Sequence, residues 1–149
     1  MTKVYLDVCC LNRPFDDQSQ DRVRMETTAI DAVLQRVEIG EWISVTSEAV
    51  QDEIRGDPDQ ERQERVQASA ALSAEVIEVN EGHLARAVAL QQLGFHPFDA
   101  LHIACAESVQ VDVLLTTDDR MLRLALRLGG KIMVKVANPV AWLLEVQND

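Results

Sequence analysis

Four carboxylates in this chain sit where a fold would gather them: Asp7, Glu53, Asp99 and Asp118. Asp7 directly follows the apolar, β-rich run from Lys3 to Leu6, and Asp118 closely follows the run from Val111 to Thr116. Asp99 lies in the first turn of a segment whose Ala100, Leu101, Ile103, Ala104, Cys105 and Ala106 read as a buried helix. Glu53 lies one and a half turns into the helix that follows a second strand. In parallel α/β sheets ligands bind beyond the carboxyl ends of the strands, so all four acids reach one edge. At an effective dielectric of 20, two such charges about 5 Å apart repel by roughly 3 kcal/mol, and the cluster therefore needs protons or cations. Hard oxygen ligands with no Cys or His alternative suit Mg²⁺ or Mn²⁺. A carboxylate-held ion with open water positions supplies hydroxide and stabilises the charge of a phosphodiester under attack. Each acid also has a plainer reading: Asp7 and Asp118 as strand-end caps, Asp99 as a helix-dipole residue, Glu53 as a solvated surface acid. All four being caps by coincidence is the less economical account.

Along the chain, strands and helices alternate. Val23, Thr27, Ile30, Val33, Leu34 and Val37 recur at three- and four-residue steps, which predicts an amphipathic helix over about residues 18–38, ended by Gly40. Asn12, Arg13 and Pro14 before it mark a loop. A strand over 42–46 leads to Ser47, placed to cap the helix that carries Glu48 and Glu53 as far as Gly56. A further helix falls within 57–75, a strand at 76–79, and helices at 81–93 and from Pro97 onward. After Asp118 come a helix to Leu128, a strand at 131–136 and a last helix beyond Pro139. The alternation implies an α/β fold, a parallel sheet covered by helices on both faces, in a single domain over residues 1–149.

With VYLDVCCLNRPF, ISVTSEAVQDEIRG, FDALHIACAE and VLLTTDDRML, the chain resembles PIN-domain ribonucleases of the kind found as VapC toxins in VapBC toxin–antitoxin modules. The pieces span nearly the full length, and FDALHIACAE and LLTTDD are the more specific. The resemblance implies a three-layer α/β/α fold and endoribonuclease activity dependent on Mg²⁺ or Mn²⁺. By position it carries the family acids onto Asp7, Glu53, Asp99 and Asp118, with Asp7, Asp99 and Asp118 as metal ligands and Glu48 the rival of Glu53. It implies an antitoxin partner over the cleft and a homodimer, for which the apolar, Cys-bearing helices would supply the surface. A housekeeping PIN nuclease or a non-catalytic PIN-like RNA-binding module is the alternative. A phosphoacceptor receiver domain would want a second acid beside Asp7, where Val8 stands, and a Lys ending a late strand, whereas Lys131 precedes one. A haloacid-dehalogenase-like phosphatase would want Asp-x-Asp, and position 9 is Cys.

The overall charge argues against holding RNA by bulk electrostatics, with 14 basic against 25 acidic residues and a net charge of −11. Yet from Arg120 to Lys135 there are five basic residues and no acid, and Arg120, Arg123 and Arg127 form one helical stripe starting beside Asp118. Arg120 and Arg123 are candidate contacts to the RNA backbone, and Asn12, Arg13 and Thr116 are further candidate substrate contacts. Three cysteines without CxxC spacing read as reduced, mostly buried thiols, and His102, between Leu101 and Ile103, reads as a core histidine. No apolar run approaches the 18 or so residues of a membrane span, and Asp7 interrupts the first before a signal-peptide core forms, so a cytoplasmic protein is expected.

Overall fold

A computed structural model describes residues 1–147. Its centre is a parallel five-stranded sheet in the order β3-β2-β1-β4-β5, formed by Lys3–Leu6 (β1), Ile43–Ser47 (β2), Glu75–Ile77 (β3), Val113–Leu115 (β4) and Val136–Ala137 (β5). Around it lie α1 (Val8–Asn12), α2 (Asp21–Glu38), α3 (Glu48–Arg55), α4 (Gln60–Ala70), α5 (Glu81–Gln92), α6 (Pro97–Ser108), α7 (Asp119–Leu128) and α8 (Pro139–Gln147). This is the expected three-layer α/β/α architecture. The middle strands read as continuous apolar runs because both of their faces are covered: Val4, Tyr5, Val113, Leu114 and Leu115 are fully buried.

Local chemistry starts the helices where the sequence says it should. Ser47 accepts from the Val50 amide to cap α3, and Asn80 and His83 form a reciprocal cap on α5. Gly129, at φ +56°, ends α7 in a conformation costly to any side chain.

Two expectations are corrected. The segment after Asp7 is not a loop: Asp7 caps the short helix α1, and Arg13–Phe15 come next as a 3₁₀ turn with Pro14 in its first positions. The strand expected at 131–136 shrinks to Val136–Ala137 after a 3₁₀ turn at Gly129–Lys131. Ile132 and Val134 are buried while Met133 is exposed, so the period of two is real. The ladder to β4 nonetheless holds only Leu114↔Val136 and Leu115↔Ala137.

From β1 the chain moves outward to β2 and β3, and it returns on the other side of β1 with β4. The order therefore reverses between β1 and β4, which creates a crevice beyond their carboxyl ends. Leu6 pairs with Leu115, and the Asp7 amide donates to the Leu115 carbonyl at 3.0 Å, so Asp7 and the loop carrying Asp118 border that crevice.

Candidate active site

Asp7 is 4% exposed, and its two oxygens are held separately. The Val8 amide donates to Oδ1 at 2.7 Å, while the Thr116 hydroxyl at 2.8 Å and the Cys9 thiol at 3.2 Å reach Oδ2. Asp118 caps α7 through Oδ1, which accepts from the Arg120 and Met121 amides, and its own amide donates to Thr116 Oγ1. Capping and site membership are thus not rival readings: one oxygen of Asp118 starts a helix and the other stays available. Thr116, fully buried, bridges the two acids by contacting Asp7 and the Asp118 amide, so it braces the carboxylates from beneath.

Asp99 enters from the first turn of α6. Burial, then the charges of Asp7 and Asp118, push its carboxyl up to about 7, with Glu53 adding and His102 opposing. Four elements (the end of β1, α3, α6 and the end of β4) therefore deliver Asp7, Glu53, Asp99 and Asp118 to one place. Glu48 points elsewhere, its Oε1 accepting from the Val79 amide at 2.7 Å.

A histidine stands beside these carboxylates. His102 is fully buried as expected, but its Nε2 lies 2.7 Å from Glu53 Oε1 and 3.6 Å from Asp7 Oδ1. Its Nδ1 meets the Tyr5 hydroxyl at 2.7 Å, and that hydroxyl meets Ser47 Oγ at 2.6 Å. Burial works against protonation of His102, but the Glu53 hydrogen bond and the charges of Asp7, Glu53 and Asp99 outweigh it and raise its pKa. The cysteines are unpaired thiols, Cys10 and Cys105 buried and Cys9 half-buried beside Asp7.

These shifts fix a pH dependence. Asp99 holds its proton more tightly folded than unfolded, so its contribution to stability is complete below 3.8 and is lost as pH rises through about 7. His102, also raised, adds a loss of the same sign above its ordinary 6.5. Metal-free protein is therefore expected to melt at progressively lower temperature as pH rises across that interval, and Asp99→Asn should flatten the slope. Thermal melts in EDTA across pH check this.

A second network walls the crevice. Glu26 is only 2% exposed, yet it lies at α2 positions shared with Val23 and Ile30. Arg13 donates to it at 2.8 Å, Arg22 at 3.3 Å and Asn138 at 2.6 Å. Arg22 also grips Asp119 through both terminal nitrogens, at 2.7 and 2.8 Å, and reaches the Thr117 carbonyl at 3.0 Å. Asp119 is thereby held by Arg22, and its pKa is lowered. Of the residues expected at substrate, Arg13 is engaged by Glu26 and Asp16, and Asn12 accepts from Arg62 at 3.1 Å. Arg120 is exposed and donates to the Gly94 carbonyl at 2.7 Å, and with Arg123, Arg127, Gly94 and Leu124 it lines an open groove of about 250 Å³.

The sequence reading does not find Glu26, and it weighs His102, one turn after Asp99, as a general base but reads it as core. For Glu26 a signal was present, an acid on the apolar stripe of a helix. For His102 the only signal was its place one turn after Asp99.

Among solved structures, the chain is similar to FitAcB from Neisseria gonorrhoeae, at 16% identity and TM-score 0.57, over 91% of this chain and 97% of that one. A toxin–antitoxin complex from Klebsiella pneumoniae matches at 18% identity and TM-score 0.57, over 88% and 94%. VapBC2 from Rickettsia felis, bound to a DNA fragment from its promoter, matches at 12% identity and TM-score 0.56, over 91% and 98%. At these identities the likeness is one of fold. No curated protein matches the chain. The model of the PIN domain family matches residues 4–126, from β1 through most of α7 and including all four acids, and so the chain belongs to the PIN domain family.

Proposed function

We propose that this chain is a metal-dependent endoribonuclease and the toxin of a toxin–antitoxin pair, VapC-like in kind. The observation that carries the reading is the convergence of four acids from four elements, where burial and then the charges of Asp7 and Asp118 raise the Asp99 carboxyl to about 7. Asp7, Asp99 and Asp118 are the acids proposed to hold a hard divalent cation, Mg²⁺ or Mn²⁺, with Glu53 beside them. When bound, such an ion supplies a water-derived nucleophile and charge stabilisation for phosphodiester hydrolysis. Thr116 and the Val8 amide fix the Asp7 carboxylate in advance, which lowers the ordering cost of binding. Arg120 and Arg123, on the helix that begins at Asp118, offer the RNA backbone positive charge beside the acids. Arg13 and Asn12 serve that surface through the wall they stiffen.

Toxin–antitoxin complexes among the fold relatives support an antitoxin partner, whose Arg or Lys would pair with these carboxylates. A homodimer is proposed with a different surface from the one expected: Ala100, Ile103, Ala104 and Cys105 of α6 are buried within the chain, whereas Leu84 and Val88 of α5 are exposed. Among the described residues no helix is long and apolar enough to cross a membrane.

The test is cleavage of RNA by purified chain with Mn²⁺, with EDTA, and with Asp7→Asn. Cleavage that survives EDTA, or is equal in the variant, overturns the reading. The two glutamates separate in the same assay. Glu53→Gln should lose most activity, and Glu48→Gln, whose side chain only tethers the Val79 amide, should keep most of it.

A further inference from the structure

We infer that the metal centre takes an imidazole nitrogen, with His102 Nε2 a ligand alongside Asp7 and Glu53, and that it therefore holds Mn²⁺ in preference to Mg²⁺. This rests on the metal-dependent reading above and concerns how the site chooses its ion.

One ligand atom from each of Asp7, Glu53 and His102 lies within 4.8 Å of the other two. With bonds of about 2.1 Å, neighbouring ligand atoms of one ion stand about 3 Å apart. The observed 2.7 Å from Nε2 to Glu53 and 3.6 Å from Nε2 to Asp7 straddle that spacing. The far side of the ring is already arranged for a ligand. A metal-binding imidazole needs its other nitrogen to donate a hydrogen bond, and such outer partners fix tautomer and ring orientation. Here Nδ1 faces the Tyr5 hydroxyl, which can accept from it because its own proton has an acceptor in Ser47 Oγ. Ser47 is in turn fixed as the cap of α3, the helix that carries Glu53. One buried chain thus orients both the nitrogen and the carboxylate beside it. Holding an ion would require Nε2 to be free of a proton, so the ion would take the place of the contact between Nε2 and Glu53. An imidazole ligand disfavours Mg²⁺, which is held through oxygen, more than Mn²⁺, a first-row ion that also binds mixed nitrogen and oxygen sites.

The probe is Mn²⁺ itself, read by pulsed electron paramagnetic resonance on the whole chain. Bound Mn²⁺ should show coupling to ¹⁴N, replaced by the ¹⁵N pattern in protein labelled with [¹⁵N]histidine, and unchanged in His96→Gln. Tyr5→Phe, which removes the hydroxyl behind Nδ1, should weaken Mn²⁺ binding about tenfold, and Mg²⁺ should displace Mn²⁺ more easily from that variant. Mn²⁺ that binds, is lost in Asp7→Asn, and shows no histidine coupling overturns this inference and leaves the proposed nuclease standing. Coupling that disappears in His96→Gln overturns it as well. Absence of any Mn²⁺ binding overturns both.

Discussion

Asp99→Asn is expected to abolish RNA cleavage, with a loss larger than the ~10–100-fold that removal of a merely supporting group costs. The reason is geometric as well as electrostatic. Burial first, and then the charges of Asp7 and Asp118, raise the proton affinity of Asp99, and a divalent cation would relieve the crowding of charge there. Asn keeps the shape and removes the charge, and the first turn of α6, begun by Pro97, has no other need of it. The variant should remain folded, and its metal-free form should soften less as pH rises. Its melting point should respond to Mn²⁺ far less than that of the wild type, since a ligand stabilises only the state that binds it. Cleavage at the wild-type rate would remove Asp99 from the site.

The second large effect concerns stability. Glu26→Leu should destabilise the fold by about 3 kcal/mol, the lower end of the cost of orphaning a buried ion pair, because both arginines it leaves behind are partly open to water. Three donors lose their acceptor together: Arg13, Arg22 and Asn138. For a chain of this length the melting temperature should fall by on the order of 10 °C. Glu26→Gln keeps an acceptor and should cost less. Chemical denaturation of both variants measures the difference, and a Leu variant as stable as wild type would show that the cluster contributes nothing net. The damage should extend to the crevice, since Arg22 joins Glu26 to Asp119 and the Thr117 carbonyl.

Much of this was legible in the sequence because its signals are local. Asp7 and Asp118 end apolar strands, Ser47 precedes a helix, and α6 is apolar enough that its one early acid stands out. The parts that were not legible depend on pairings distant along the chain. His102 looked like core, and it is core. Its partners Tyr5 and Glu53 are 97 and 49 residues away, and no periodicity announces that the buried ring faces the acids. The strand expected at 131–136 is shorter for the opposite reason: the alternation is present locally, but a strand is a relation to a neighbour, and only Val136 and Ala137 pair with β4. The helix α1 was hidden because Asp7 both ends β1 and caps the turn directly after it.

The brevity of the outer strands has a consequence for assembly. Both edges of the sheet are closed to strand addition: β3 is three residues long and β5 two, too little backbone to template another chain. Edge-to-edge aggregation through these strands is thereby disfavoured. Any macromolecule that restrains the protein must then dock on helical faces or enter the crevice as side chains, and its affinity will be set by shape and charge rather than by main-chain pairing.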